Sequence, residues 1–400
     1  MLIASYLILQ QAARFVMRLG CLAALILLVA ACFLPVSGPA RANDLSRDED
    51  VVLFPMLSAF DASAPTTQFF IHGWIFEPEA DSKSRTLLLA NLAAGLSLAE
   101  HERLSPVFQE RARLFLVDNE RDQKLIARVA ARQVPLTASQ PNGHFRSLVT
   151  LPTGELRKAM RPPGVTTGTL PYSLLTPKGD ARSFNGRVHL IGPEGWSIVS
   201  DIDDTIKVSN VLDKGELMRN TFLREFRAVD GMAVAYRGWS QAGAAFHYVS
   251  GSPWQLYPAL AKFADDADFP QGSYHLRTFR LQDGSSNELL GSPKDYKLRT
   301  IEPILQAFPR RKFVFVGDSG EQDPEVYGEL ARRHPAQVRL IVIRNITEET
   351  LGNVRLAAAF RDVPAERCLL FREPAELPGA KQILSSMSDK TPPSPAAGPK

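Results

Sequence analysis

Between Val51 and about Leu190, apolar, β-branched and aromatic residues come in short runs bounded by Gly, Pro, Asn and Asp, the punctuation of strands. The clearest runs are Val51–Phe54, Gln68–Phe76, Arg113–Val117, His144–Thr150 and Arg187–Ile191. Pro141-Asn142-Gly143 supplies turn chemistry ahead of His144, and a helix is expected near Leu87–Ser97. The pattern predicts a β-rich domain, a sandwich or small barrel, over residues 43–195, with an exposed loop at Arg161–Gly168.

After Gly195 the period changes. Strand-like runs at Ser197–Ser200, Phe246–Ser250, Phe313–Gly317 and Val338–Arg344 alternate with amphipathic segments at Lys214–Phe226, Trp254–Ala264, Tyr296–Ala307 and Pro324–Arg333. Such alternation predicts an α/β domain over residues 196–378, a three-layer parallel sheet with crossover helices. Residues 379–400 are polar and Pro-broken, and are expected to be a disordered tail.

Residues 1–42 differ in kind. Arg14 and Arg18 precede an apolar run from Leu19 to Leu34, followed by Ala40-Arg41-Ala42, a signal-peptide pattern with cleavage expected after Ala42 and Met17 as a possible true start. Val29-Ala30-Ala31-Cys32 leaves open a lipoprotein signal, and an uncleaved membrane segment is the third option. Each places the chain outside the cytoplasm, periplasmic or secreted, with or without an anchor. A cleaved chain keeps only Cys368, so no internal disulfide supports it, and that thiol reads as a small buried hydrophobe. With 45% apolar and 22% charged residues the remainder is globular, and a net charge of +3 without a basic stripe argues against nucleic acid as a partner.

In open parallel sheets, functional groups gather at the carboxyl ends of strands. Three such ends carry chemistry here. Ser197–Ser200 runs into Asp201-Ile202-Asp203-Asp204-Thr205; if the backbone stays extended, Asp201 and Asp203 share one face and Ile202 points into the sheet. Two acids on one face repel unless a cation offsets them, and Mg2+ is the natural one. The second end closes on Ser250-Gly251-Ser252, where a hydroxyl and backbone N–H groups offer a phosphate cradle. The third runs through Gly317 into Asp318, which completes the metal set, and Asp323, which holds a metal-bound water or the helix start. Lys297 adds a cation for phosphate and nucleophile.

Taken in order, these pieces resemble the haloacid dehalogenase superfamily, with its Asp-x-Asp-x-Thr, strand-terminal Ser or Thr, Lys, and Gly-Asp with a later Asp. A narrower resemblance lies in Asp-Ile-Asp-Asp-Thr-Ile-Lys (201–207), Tyr-Val-Ser-Gly-Ser-Pro-Trp-Gln-Leu (248–256), Phe-Pro-Arg-Arg-Lys-Phe (308–313) and Gly-Asp-Ser-Gly-Glu-Gln-Asp-Pro-Glu-Val-Tyr (317–327). These are similar to the catalytic domain of the fungal actin-patch phosphatidate phosphatase family and its bacterial relatives. The resemblance implies a haloacid-dehalogenase-like, Rossmann-type fold and hydrolysis of phosphatidate to diacylglycerol and phosphate through an aspartyl-phosphate. It implies Asp201 as nucleophile, Asp203 as acid/base, Ser250 and Lys297 as phosphate holders, and Asp318 as a metal ligand. A phospholipid or membrane surface is then the expected partner, although the fungal proteins act inside the cell and this chain carries an export pattern.

Competing readings remain at this point. A calcium loop fails, because Ile206 and Leu212 stand where Gly and Glu are needed. Asp204 and Asp323 could simply cap a loop and a helix. His72, His144, His247 and His275 lack metal-ligand spacing and read as structural, while Met232 and Trp239 could either pack or touch a membrane. The spacings Thr205–Phe246 and Ser250–Lys297 leave no room for a large cap, so the site is expected to be open. The same chemistry on a soluble phosphomonoester, or a non-catalytic envelope-binding protein on a degenerate scaffold, are the alternatives.

Overall fold

A parallel six-stranded sheet carries the second half of the chain: β10 (Trp196–Ser200), β11 (Ala245–Pro253), β12 (Gly272–Arg277), β13 (Lys312–Asp318), β14 (Val338–Arg344) and β15 (Cys368–Phe371), ordered β12-β11-β10-β13-β14-β15. This computed structural model describes residues 45–78, 99–161, 168–278 and 292–387. The expected leader and the helix near Leu87–Ser97 lie outside them. All described residues belong to one compact unit, Arg41–Thr278 with Ser292–Lys400; the other unit, Met1–Ala40 with Phe279–Gly291, lies outside the description.

Alternation along the buried strands sorts their side chains into two cores. Ile198, Phe246, Tyr248, Val314 and Val316 meet Tyr236 and Trp239 of the helix Met232–Gln241 and Leu260 and Phe263 of the helix Tyr257–Asp266. On the other face Val199, Val249, Phe313 and Phe315 meet Ile301 and Leu305 of the helix Pro293–Ala307 and Val326 and Leu330 of the helix Asp323–Arg333. Helices therefore cover both faces. The first strand in sequence, β10, sits between β11 and β13, so the chain order reverses beside it and opens a crevice at the carboxyl ends.

Residues 50–191 build two further sheets. One pairs β1 (Asp50–Phe54), β3 (Thr66–Glu77), β4 (Asp118–Asn119) and β7 (His144–Pro152); the other orders β2 (Met56–Ala59), β9 (Asn185–Ile191), β8 (Gly168–Leu174), β5 (Ile126–Val129) and β6 (Arg132–Pro135). Phe69, Ile71 and Phe145 from the first pack with Ala127, Leu170 and Val188 from the second in a shared core. Phe54, Trp74 and Phe76 belong instead to the core under the parallel sheet, where the Phe54 ring lies 4.1 Å from that of Trp254.

Several expectations need correction. Arg113–Val117 is not a strand: Ser105 Oγ accepts from Phe108 N at 3.1 Å, Pro106 starts a helix over Pro106–Arg113, and Phe108, Arg111 and Ala112 bury its inner face. The helix expected to reach Phe226 ends at Phe222. Of the two readings left open for Met232 and Trp239, packing is the one found, both being buried in the core. The tail is ordered through a helix, Ala380–Met387, because Ile383 finds an apolar pocket in the core. Among the described residues, no helix is long and apolar enough to cross a membrane.

Candidate active site

Parallel pairing of β10 with β13 places the two acid-terminated strands side by side, with Ser200 in register with Val316 and Asp201 N donating to Val316 O at 2.8 Å. Asp201 and Asp318 therefore emerge as neighbours at the crevice. Asp323 comes in from the start of its helix, and Gly317 makes this possible: a Cβ there would lie 2.3 Å from Asp323 Oδ2. Asp318 N donates to that oxygen at 3.2 Å, while Gly320 N and Glu321 N donate to Asp318 Oδ1 at 2.6 and 3.1 Å.

Lys297 closes the cluster from the helix Pro293–Ala307. Its buried Nζ donates to Asp201 Oδ1 at 2.9 Å, to Glu321 Oε2 at 3.0 Å, and to Asp323 Oδ1. Two buried carboxylates and a partly exposed third contact this one ammonium, with the buried Asp318 nearby. Burial, reinforced by the neighbouring acids, drives the Asp201 carboxyl well above its ordinary range despite Lys297, and Asp318 and Asp323 move the same way for the same reason. Burial opposes the charge on Lys297, but Asp201, Asp323 and Glu321 outweigh it and keep the lysine protonated.

The surplus of negative charge fits a divalent cation. Asp201, Asp318 and Asp323 each offer an oxygen within 4.8 Å of the others, and the buried Oδ2 atoms of Asp201 and Asp318 have no hydrogen-bond partner. Hard, anionic oxygens with unfilled valence are what Mg2+ selects. Asp203 lies outside this group of three and is held by other partners. Strand β10 ends at Ser200, and the chain turns back so that Ile206 N and Lys207 N both donate to Ile202 O at 3.0 Å. Ile202 does point into the core, as expected.

Asp203 has its own setting. Its Oδ1 takes Lys207 Nζ and Ser209 Oγ, both at 2.7 Å, and its Oδ2 takes Ser250 Oγ at 3.0 Å and Ser252 Oγ at 3.1 Å. Burial alone would raise this carboxyl, but Lys207 and the serine hydroxyls overcome it and hold the group below the usual range, as an anion. Ser250 thus reaches the site through Asp203 and also accepts from Ser252 N at 2.9 Å. Beside it, Gly251 is exposed, and a Cβ there would meet nothing within 4 Å, so the space at this strand end is open.

Other candidates fall into structural roles. Asp204, at a left-handed φ of 49°, turns its carboxylate onto Ser209 N, Asn210 N and Val211 N at 2.8, 3.0 and 2.6 Å, and its carbonyl accepts from Arg344 at 2.6 Å. His72 hydrogen-bonds His144 at 3.2 Å beneath Trp254, and Ser273 bridges His247 and His275 at 3.0 and 2.9 Å. Sequence reasoning missed Lys207, Ser209, Ser252 and Glu321. Lys207 stood in the motif beside Asp203, but nothing in its spacing announced the pairing.

Residues 196–345 match the family model described as phosphatidate phosphatase APP1, catalytic domain. Every residue of the cluster lies inside that span. Phosphatidate phosphatase APP1 of Saccharomyces cerevisiae is 36% identical over 158 residues, covering 38% of this chain and 26% of the yeast protein. The protein C29B5.04c of Schizosaccharomyces pombe is 30% identical over 175 residues, covering 43% of this chain and 28% of its own length. The chain therefore spans little more than a quarter of the length of these curated relatives.

Proposed function

We propose that the chain is a magnesium-dependent phosphatase that hydrolyses phosphatidate, or a related lipid phosphate, through Asp201. One observation carries the reading: a buried aspartate with a free oxygen, flanked by Lys297, Asp318 and Asp323, sits inside the segment that matches a phosphatidate phosphatase catalytic domain. Asp201, Asp318 and Asp323 would hold the ion, and Mg2+ when bound supplies positive charge against the phosphate and the acids.

The residues divide the chemistry between them. Lys297 orients the Asp201 carboxylate and offsets phosphate charge, so that one anion can approach another. A carboxylate oxygen of Asp201 attacks the phosphorus of the monoprotonated ester, the bond from phosphorus to the glycerol oxygen breaks, and Asp203, an anion until then, takes the proton of the phosphate and passes it to that oxygen to release diacylglycerol. In the second half Asp203 takes a proton from the water that attacks the phospho-aspartate, and inorganic phosphate leaves. Acid/base help of this kind is typically worth about 10²–10⁴ in rate. Ser250, Ser252 and the backbone around Gly251 stand where they can receive the phosphate oxygens.

Within the segment between Thr205 and Ala244, Met232 and Trp239 pack in the core under the parallel sheet, and Phe222 packs with Phe108 and Ala112 of the helix Pro106–Arg113. Open space such as that beside Gly251 suits a headgroup whose tails stay in a bilayer, in keeping with an exported or membrane-peripheral setting. The haloacid-dehalogenase-like ancestry rests on the motif order. The test is phosphate release by the purified chain from phosphatidate in mixed micelles against soluble sugar and nucleotide phosphates, with and without chelator. Preference for the lipid, lost on chelation, is expected; equal or better turnover of soluble esters would overturn the lipid assignment.

A further inference from the structure

Lys207 is buried like the acid cluster, at 1% exposure, yet its ammonium pairs with none of Asp201, Asp318 and Asp323. Among the described residues, its one carboxylate partner is Asp203. Its backbone is fixed as firmly as its side chain: Lys207 N donates to Ile202 O at 3.0 Å and Lys207 O accepts from Asp204 N at 2.7 Å. The ammonium lies 4.7 Å from the centre of the Phe226 ring and donates to Ser209 Oγ at 2.6 Å. Burying an ammonium to stabilise a loop is a poor exchange for an apolar side chain of similar volume. The placement makes better sense as a device for Asp203.

The four donors on Asp203 fall into two pairs with different origins. Lys207 and Ser209 hold Oδ1 and come from the same loop as Asp203. Ser250 and Ser252 hold Oδ2 and come from the end of β11, where the proposed phosphate cradle lies. A phosphate that draws those hydroxyls away leaves Oδ2 free while Oδ1 stays anchored. We propose that Lys207 is a positioning residue that fixes Asp203 through Oδ1, so that Oδ2 faces the departing alcohol oxygen once the substrate has claimed Ser250 and Ser252. The proposal rests on the phosphatase reading with Asp203 as acid/base. It adds to that reading the residue on which the acid's aim depends.

The role is tested by leaving-group dependence, which a merely structural lysine would not alter. Lys207→Met, Lys207→Arg and Ser209→Ala are compared with the wild-type chain on phenyl phosphates from 4-nitrophenyl to 4-methoxyphenyl, and on phosphatidate in mixed micelles. The ratio kcat/KM is used because it covers only the steps through departure of the alcohol. Given the usual worth of acid catalysis, Lys207→Met should lose about 10²-fold on basic leaving groups and under about fivefold on 4-nitrophenyl phosphate. Its plot of log kcat/KM against leaving-group pKa should steepen; Lys207→Arg should recover part of the loss, and Ser209→Ala should steepen the plot less.

A parallel loss across the whole series, or none, would overturn the assignment. If circular dichroism shows Lys207→Met unfolded, the slopes of the arginine and Ser209→Ala variants decide, and unchanged slopes in both reject it. A wild-type chain that releases no phosphate from any of these esters refutes the phosphatase reading itself, an outcome distinct from a flat variant series.

Discussion

Removing the ammonium of Lys297 leaves the acid cluster with no counter-charge among the described residues. In Lys297→Met the butyl stem is replaced by an apolar chain of similar length, so packing of the helix Pro293–Ala307 is largely kept while contacts to Asp201 and Glu321 at 2.9 and 3.0 Å, and to Asp323, are lost. Breaking a buried pair in this way costs about 3–5 kcal/mol, because the remaining charge is stranded. At roughly 2 °C per kcal/mol for a domain of this size, melting in chelator at neutral pH should fall by about 6–10 °C.

The sign of the pH dependence follows from the acids. Asp201, Asp318 and Asp323 have carboxyls raised in the folded state, mainly by burial, so what they contribute to stability is fully present below the ordinary carboxylate value and is lost as pH rises through the raised values. Without Lys297 that loss is larger. The deficit of the variant against the wild-type chain should therefore shrink as pH is lowered from neutral toward about 5. Adding Mg2+ at neutral pH should restore more stability to the variant than to the parent. Calorimetry under matched conditions makes the comparison, and a deficit below about 1 kcal/mol at neutral pH would refute the buried-charge argument.

Gly317→Ala places a methyl 2.3 Å from Asp323 Oδ2, so it should displace that carboxylate from Asp318 N and cut phosphatase activity by about 10²-fold, the cost of misplacing a positioned group; near-normal turnover would show that the acid has room to move. Four histidines should make the fold acid-labile. Burial lowers His72 and His247 well below the ordinary value and brings His189 and His275 to about 4. Their contribution is present above about pH 6.5 and is lost as pH falls toward the folded values, up to about 1.4 kcal/mol per group per unit. Several kcal/mol should disappear between pH 7 and 5 in the presence of Mg2+, as a fall in melting temperature; a flat profile would contradict their neutral burial.

What the sequence disclosed follows the range of each interaction. Asp201 and Asp318 could be read because strands buried on both faces show as short, largely apolar runs without charges inside them, and the acids stand at their carboxyl ends. The approach of Lys297 to the first of them could be expected from motif order. The setting of Asp203 could not, because Lys207 and Ser209 reach it through a turn in which Ile206 N and Lys207 N donate to Ile202 O, and no periodicity announces that turn. Ser209 reaches Asp203 through that turn, and Ser252 reaches it from the end of β11.

Elsewhere the failures were local. Pro171 disguises β8, and the four residues of β2 are too few to show a period. Phe54, Trp74 and Phe76 face the parallel sheet, a partner far away in sequence that no pattern within their own strands reveals.

The central claim is that Asp201 is the group that receives the phosphoryl. Asp201→Asn is nearly isosteric and leaves the contact with Lys297 possible, so the fold should survive, as circular dichroism would show. Phosphate release from phosphatidate in mixed micelles with Mg2+ should then fall to background, with no phosphorylated chain trapped on rapid acid quench, whereas the wild-type chain should show one. Full activity in Asp201→Asn would contradict the account.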